Sequence, residues 1–241
     1  ASYLSLLDLG GQSYIGVRLA QAFARDRLDE FRVVLREGFS LFLALAIVAQ
    51  VVVLAVVFSP LVPWNASARL VVAYYSGAIL ISVPSAVLGS CYAATGRIVR
   101  SATVGNLCRV IYVACYALAL FWKVSQPVYA AIVFVTVTAT SAVIVFDLHR
   151  QLGDLFRPTA TLASVRAGAT HLRSSLEYWM FALACGLNVQ GLLLVVAAGS
   201  GTASVAAFAT HRAAANLIVY AGNLLRPAVA TELTFMAARS D

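Results

Sequence analysis

The stretch FSLFLALAIVAQVVVLAVVFSPLVPW, Phe39 to Trp64, holds no charged residue. A helix rises about 1.5 Å per residue, so roughly 20 apolar residues cross a hydrocarbon core of about 30 Å. The stretch therefore predicts a membrane span, and the rest of the chain has to supply its companions. Composition agrees: of 241 residues, 61% are apolar and 11% charged, where soluble domains carry about half and about a quarter. A water-soluble globule of this size could not cover its surface with so few charges.

The formal charge of +7 raises the question of nucleic acid. The arginines are scattered between long apolar runs and form no patch interleaved with aromatics, so no nucleic-acid partner is expected. Cys91, Cys108, Cys115 and Cys185 lie in apolar segments without a CxxC pair, and read as small core residues, with no metal site. The first residues already look like the middle of a helix, no cleavable signal peptide is visible, and MAARSD closes the chain straight after an apolar segment. These features suggest a fragment of a longer protein.

Seven segments meet or approach the spanning length: 1–24, 39–64, 70–95, 101–122, 127–146, 176–198 and 203–225. The expected fold is an all-α, polytopic membrane helix bundle. Gly199-Ser200-Gly201 turns the last pair, and Pro84 predicts a kink in the third segment because proline removes a backbone donor. Connections rich and poor in arginine alternate along the chain. The segment from Arg25 to Glu37 holds Arg25, Arg27, Arg32 and Arg36, that from 65 to 69 holds one arginine, and Arg97 and Arg100 precede a turn with Lys123 alone. The connection 147–175 holds Arg150, Arg157, Arg166 and Arg173, while 199–202 holds none. Rich loops belong in the cytoplasm, which puts Ala1 outside and Asp241 inside. In the long connection Leu148, Leu152, Leu155 and Phe156 recur at helical spacing, predicting an interfacial amphipathic helix within a cytoplasmic tether. The sequon Asn65-Ala66-Ser67 reads as a chance tripeptide.

Ionisable groups at membrane depth are costly and normally face a bundle interior or a watery cavity. Arg212, Asn216 and Asn223, separated by four and seven residues, share one helix face with Tyr220. Ser5, Asp8 and Gln12 form a shorter analogue in the first segment, and Asp8 could pair with Arg212 across the bundle. Asn188 and Gln190 sit two residues apart and do not point the same way, so at most one lines the same lumen. Arg109 is a further lumenal candidate, whereas Arg18 lies near an interface to which its long side chain can snorkel.

No HExxH, GxSxG, phosphate loop or Asp-rich metal motif occurs. His149 and His171 fall in the long connection and read as solvated, and apart from Asp8 the carboxylates fall in loops beside arginines. The chain is therefore expected not to be an enzyme and to need no cofactor.

Several stretches carry a resemblance together. YLSLLDLG from Tyr3, followed by Arg18 and the charged RDRLDEFRVVLREG, resembles the second and third helices of bacterial polysaccharide flippases. These belong to the multidrug, oligosaccharidyl-lipid and polysaccharide exporter superfamily. CYAATGRIVRSATVGN from Cys91 is similar to the family's connection between helices four and five, and Gly201, Val205-Ala206-Ala207-Phe208, Arg212 and Asn216 resemble its helix eight.

The resemblance implies helices two to eight of a two-lobe transporter with 12 to 14 helices. Residues 1–146 would belong to the N-terminal lobe, 147–175 to the inter-lobe linker and 176–241 to the start of the C-terminal lobe. The implied activity is movement of an undecaprenyl-diphosphate-linked oligosaccharide across the bacterial cytoplasmic membrane for export of O-antigen, capsule or exopolysaccharide. Its implied partners are the lipid bilayer, the lipid-linked oligosaccharide, a coupling cation and other polysaccharide-assembly membrane proteins. Arg212 would attract the diphosphate, and Asn216, Asn223 and Gln190 would bond sugar hydroxyls. The rivals are a cation-coupled multidrug antiporter, which would favour lumenal acids over arginine, and a peptidoglycan-precursor flippase. A membrane-embedded glycosyl transferase or polymerase would be expected to carry more carboxylates or a large extramembrane loop.

Overall fold

The computed structural model describes residues 11–171 and nine isolated positions from Met180 to Met236, each of them helical. Helix α1 spans Gly11–Ala24, α2 Leu28–Val57, α3 Ala66–Ala94, α4 Ile98–Phe121 and α5 Gln126–Leu152. A 3-10 turn, Gly153–Leu155, an irregular stretch and a helix over 162–171, here α6, follow. Among the described residues there is no strand. Four segments, Leu28–Val57, Ala66–Ala94, Ile98–Phe121 and Gln126–Leu155, are long and apolar enough to cross a membrane. Four of the seven expected spans are thus present as such helices. The described part of α1 has 14 residues, and the spans expected at 176–198 and 203–225 lie, but for isolated positions, outside the described residues. Gly199, expected in a turn, is helical.

The largest departure from the sequence reading is the start of α2 at Leu28, inside what reads as an arginine-rich loop. The charges there are spaced for a helix. Asp29 and Glu30 occupy the first turn, where carboxylates meet the positive end of the helix dipole, and Arg32 Nη1 donates to Asp29 Oδ1 at 2.9 Å. Phe31, Val34, Leu35, Gly38 and Phe42 fall on the opposite, buried face. A helix of 30 residues is about 45 Å long, so its charged first turns project beyond the hydrocarbon.

Three tight turns share one geometry. After α1, α3 and α4 the chain places Asp26, Gly96 and Lys123 at φ of 55°, 73° and 49°. In each case the next residue's amide reaches back five residues: Arg27 N to Ala22 O, Arg97 N to Tyr92 O and Val124 N to Ala119 O. The left-handed residue's own amide closes the inner bond, to Phe23, Ala93 and Leu120. These are Schellman caps, which satisfy the last carbonyls of a helix. Only one of the three has the glycine that occupies this conformation without strain.

Packing is concentrated at one end of the bundle. Ile15 and Leu19 of α1, Phe31, Leu35 and Phe42 of α2, and Val87, Leu88 and Tyr92 of α3 form one buried cluster, with Leu148 of α5 and Phe156. All lie toward the end that carries Arg25, Arg27, Arg97 and Arg100, called here the basic end. The other half of α2 exposes Val48, Val51, Val52 and Val56, and α4 exposes Leu107, Val110, Val113, Leu120 and Phe121, as surfaces against lipid do. Helix α3 packs extensively on α5, α2 and α1, while α4 touches its neighbours sparsely. Pro84 lies inside α3, which continues through it to Ala94.

The expected amphipathic helix after residue 146 does not form as a separate element. Nothing between Phe146 and Leu152 breaks the helix, so α5 continues until Gly153, at φ 51°, ends it. Leu148 and Phe156 are then carried into the bundle core, at 0% and 1% exposure. Leu148 and Leu152 keep the helical spacing, whereas Leu155 falls in the 3-10 turn and Phe156 in extended chain.

Lys123 in a left-handed conformation costs about 1 to 2 kcal/mol relative to glycine, partly offset by the entropy that glycine loses on folding. Lys123→Gly is expected to raise stability by about 0.5 to 1 kcal/mol, read as a higher thermal midpoint in detergent. Gly96→Lys should lower it.

Candidate functional site

Helices α3, α4 and α5 converge on one carboxylate at the basic end. Asp147, 8% exposed at its side chain, accepts the Tyr92 hydroxyl at 2.7 Å and the Arg100 guanidinium at 2.5 Å through Nη2 and 3.2 Å through Nε. Sequence reading assigned the carboxylates other than Asp8 to loops. Asp147 is instead helical and buried, tolerable because a buried charge that is paired and hydrogen-bonded escapes most of its desolvation cost. One turn further on, Arg97 Nη1 donates to the Gln151 backbone oxygen at 2.7 Å and to its Oε1 at 2.8 Å. Both guanidinium groups thus fasten the start of α4 to the end of α5.

A second ensemble holds the segment after α5 against α2. Ser40 donates to the Thr159 carbonyl at 3.2 Å, and His171 Nε2 lies 2.9 Å from Glu37 Oε2, with both side chains 17% exposed. The Tyr14 ring is 5.7 Å from that of His171. A Cβ on Gly168 would sit 2.6 Å from the Glu37 carbonyl oxygen, so glycine permits this close approach of α6. His171, expected to be solvated, is therefore an interhelical contact; His149 is exposed as expected. Arg18, expected to snorkel, donates to Glu30 Oε1 at 2.8 Å.

Of the expected lumenal residues, Arg109 is described in full and Gln12 as a position in α1. Asp8, Asn188, Gln190, Arg212, Asn216, Tyr220 and Asn223 lie outside the described residues, as does any pairing of Asp8 with Arg212. Arg109 is exposed near the middle of α4. The structure does not bring it into the Asp147 network.

The sequence reading missed a polar stripe along α5. Tyr129, Thr136, Thr140, Asp147 and Gln151 recur at helical spacing and fall on one face. Three tyrosines gather beside its outer part: Tyr112 and Tyr116 have ring centroids 3.8 Å apart, and Tyr116 stacks on Tyr129 at 5.1 Å. The spacing was available in the sequence, hidden because single threonines in an apolar run read as neutral. Their hydroxyls do return to the helix, Thr136 to Ile132 O and Thr140 to Thr136 O.

Between α2, α3 and α5 lies a cavity of about 400 Å³ lined by Leu43, Ala46, Gln50, Gly77, Pro84 and Phe134 among others. Its walls are almost wholly apolar, and the Gln50 amide is turned to the Ala73 carbonyl at 3.2 Å. Among the described residues no group of three or more His, Cys, Asp or Glu side chains could hold a metal ion.

Fold and polar ensembles together define a multi-pass membrane helix bundle. No protein-family model, curated protein or solved structure matches the chain.

Arg100→Leu strands the Asp147 carboxylate with one phenol. Arg100 is itself 47% exposed, so solvent screens part of the pair, and the thermal midpoint should fall without the bundle unfolding outright. Adding Asp147→Asn should restore most of it, measured by thermal denaturation in detergent. Gly168→Ala should separate α6 from α2, at a cost of about 1 to 3 kcal/mol, and limited proteolysis should then cut residues 157–171 sooner.

Proposed function

We propose that the chain belongs to a transporter that flips an undecaprenyl-diphosphate-linked oligosaccharide across the bacterial cytoplasmic membrane for polysaccharide export. The observation that carries this reading is polar chemistry along spanning helices. A guanidinium at Arg109, a hydroxyl stripe on α5 and clustered phenols occupy helices whose other faces are hydrocarbon. A purely structural bundle gains nothing from an exposed arginine in mid-helix, which costs at least about 2.5 to 3.5 kcal/mol on insertion scales. A path for a phosphate-bearing, hydroxyl-rich headgroup accounts for it.

In this reading the basic end is cytoplasmic, in keeping with its arginines. By the sequence pattern, Arg212, Asn216, Asn223 and Tyr220 would continue the path, joined by Gln190 or Asn188, with Asp8 and Gln12 from the first segment. The lipid tail stays in the bilayer while the headgroup crosses, and the two lobes rock to expose it to either leaflet, driven by an ion gradient or by consumption of the product. The second reading, a cation-coupled multidrug antiporter, draws on the tyrosine cluster, since phenol faces attract organic cations. Arg109 beside that cluster opposes it.

The test is a strain lacking the full-length protein. It should accumulate a complete lipid-linked oligosaccharide on the cytoplasmic leaflet, and the intact gene should clear it. Arg212→Ala should slow clearance about tenfold, the scale of one lost charge-assisted hydrogen bond. A normal leaflet distribution with altered drug sensitivity would move the assignment to the antiporter.

A further inference from the structure

Among the described residues the sparse seam between α4 and α5 brings phenols and threonine hydroxyls together. Along α4, Gly105, Cys108, Tyr112 and Tyr116 succeed one another by three or four residues and so share the face turned to α5. The opposing face of α5 presents Tyr129, Thr136 and Thr140. A gap of about 80 Å³ separates them, walled by Cys108, Ile111 and Tyr112 on one side and by Thr136, Ala139, Thr140 and Val143 on the other. No atom of another element lies within 4 Å of where a Cβ on Gly105 would point, so open space borders this face between the gap and the Arg100–Asp147 pair.

Three features of the seam match one kind of headgroup. Phenol rings at Tyr112, Tyr116 and Tyr129 offer flat apolar faces with hydroxyl edges, the surface on which a sugar ring can lie. Thr136 and Thr140 donate to their own helix, which leaves their oxygens free to accept from sugar hydroxyls. Arg109 stands one turn from Tyr112 at the rim of this face and is exposed, a fixed cation at the depth of the gap. Neutral hydrogen-bonding groups beside a single cation fit a glycosyl phosphate. They fit an organic cation poorly, because the guanidinium would repel it.

We propose that the α4–α5 seam is a lateral headgroup site, in which Arg109 takes the phosphate and Tyr112, Tyr129 and Thr136 take the first sugar. This rests on the transporter reading and extends it. It places the contact for the first sugar between two adjacent helices of one lobe, with an opening to lipid through which the hydrocarbon tail leaves.

The experiment uses the full-length protein in nanodiscs with two probes, farnesyl diphosphate and farnesyl-diphosphate-linked N-acetylglucosamine. Tyr129→Phe and Thr136→Val each remove one polar group at nearly constant volume. Each should weaken the sugar-bearing probe about three- to tenfold and leave farnesyl diphosphate unchanged, as loss of a single hydrogen bond predicts. Arg109→Gln should weaken both probes about tenfold. Wild-type affinity for the sugar-bearing probe in Tyr129→Phe and Thr136→Val would overturn the site, as would equal loss of both probes in those two variants. Competition by tetraphenylphosphonium that Arg109→Gln strengthens would overturn it in favour of a cation. Translocation of the same glycosylated probe, measured in vesicles, separates the two conclusions. Wild-type translocation with unimpaired binding by the variants removes the seam and leaves the transporter, whereas selective binding without translocation keeps the seam and removes the transporter.

Discussion

The carboxylate of Asp147 is the point on which the described bundle depends. It sits at the end of α5, receives a phenol from α3 and a guanidinium from α4, and is nearly sealed from solvent. Helices in a bilayer gain little from burying apolar surface against one another, because lipid offers the same contact. Directional polar bonds therefore decide which helices stay together. Helix α3 reaches α5 also through Ser85 and Ser141, whose hydroxyls are 2.7 Å apart, but α4 is held at its basic end by Arg97 and Arg100 alone among the hydrogen bonds described.

The lipid-facing parts of the fold were legible because they satisfy one constraint. An uncharged run such as 39–64 has few alternatives to crossing a membrane, and three of the four described spans follow from such runs, the fourth carrying Arg109. Boundaries failed where charge and helix coincide. Residues 28–37 read as a loop from their arginines, yet Asp29, Arg32 and the buried Phe31, Leu35 pair obey helical spacing. Charge at the end of a span signals the water boundary and carries no information about where the helix stops.

The candidate site was legible only in part for a different reason. Arg109 stood out as a single costly residue. The α5 stripe did not, since its threonines bond their own backbone and carry no penalty to notice. Tyr112, Tyr116 and Tyr129 belong to two helices, and only tertiary packing brings their rings together. Sequence neighbours suggest a loop for Asp147 and solvent for His171, whereas their partners, Arg100 and Glu37, are distant in the chain.

The one-sided core has a mechanical meaning. Among the described residues the large buried side chains, the ion pair binding α4 to α5 and the docked α6 all occupy the basic end. The far ends of α2 and α4 present mostly surface. Rods fixed together at one end and bathed in fluid at the other swing about the fixed end. For helices crossing about 30 Å of hydrocarbon, a swing of about 10° carries the free tips about 5 Å, nearly the spacing of a helix turn. A separation of the far tips therefore requires no rupture of the Asp147 network, and the geometry of the basic end can persist while the opposite end moves.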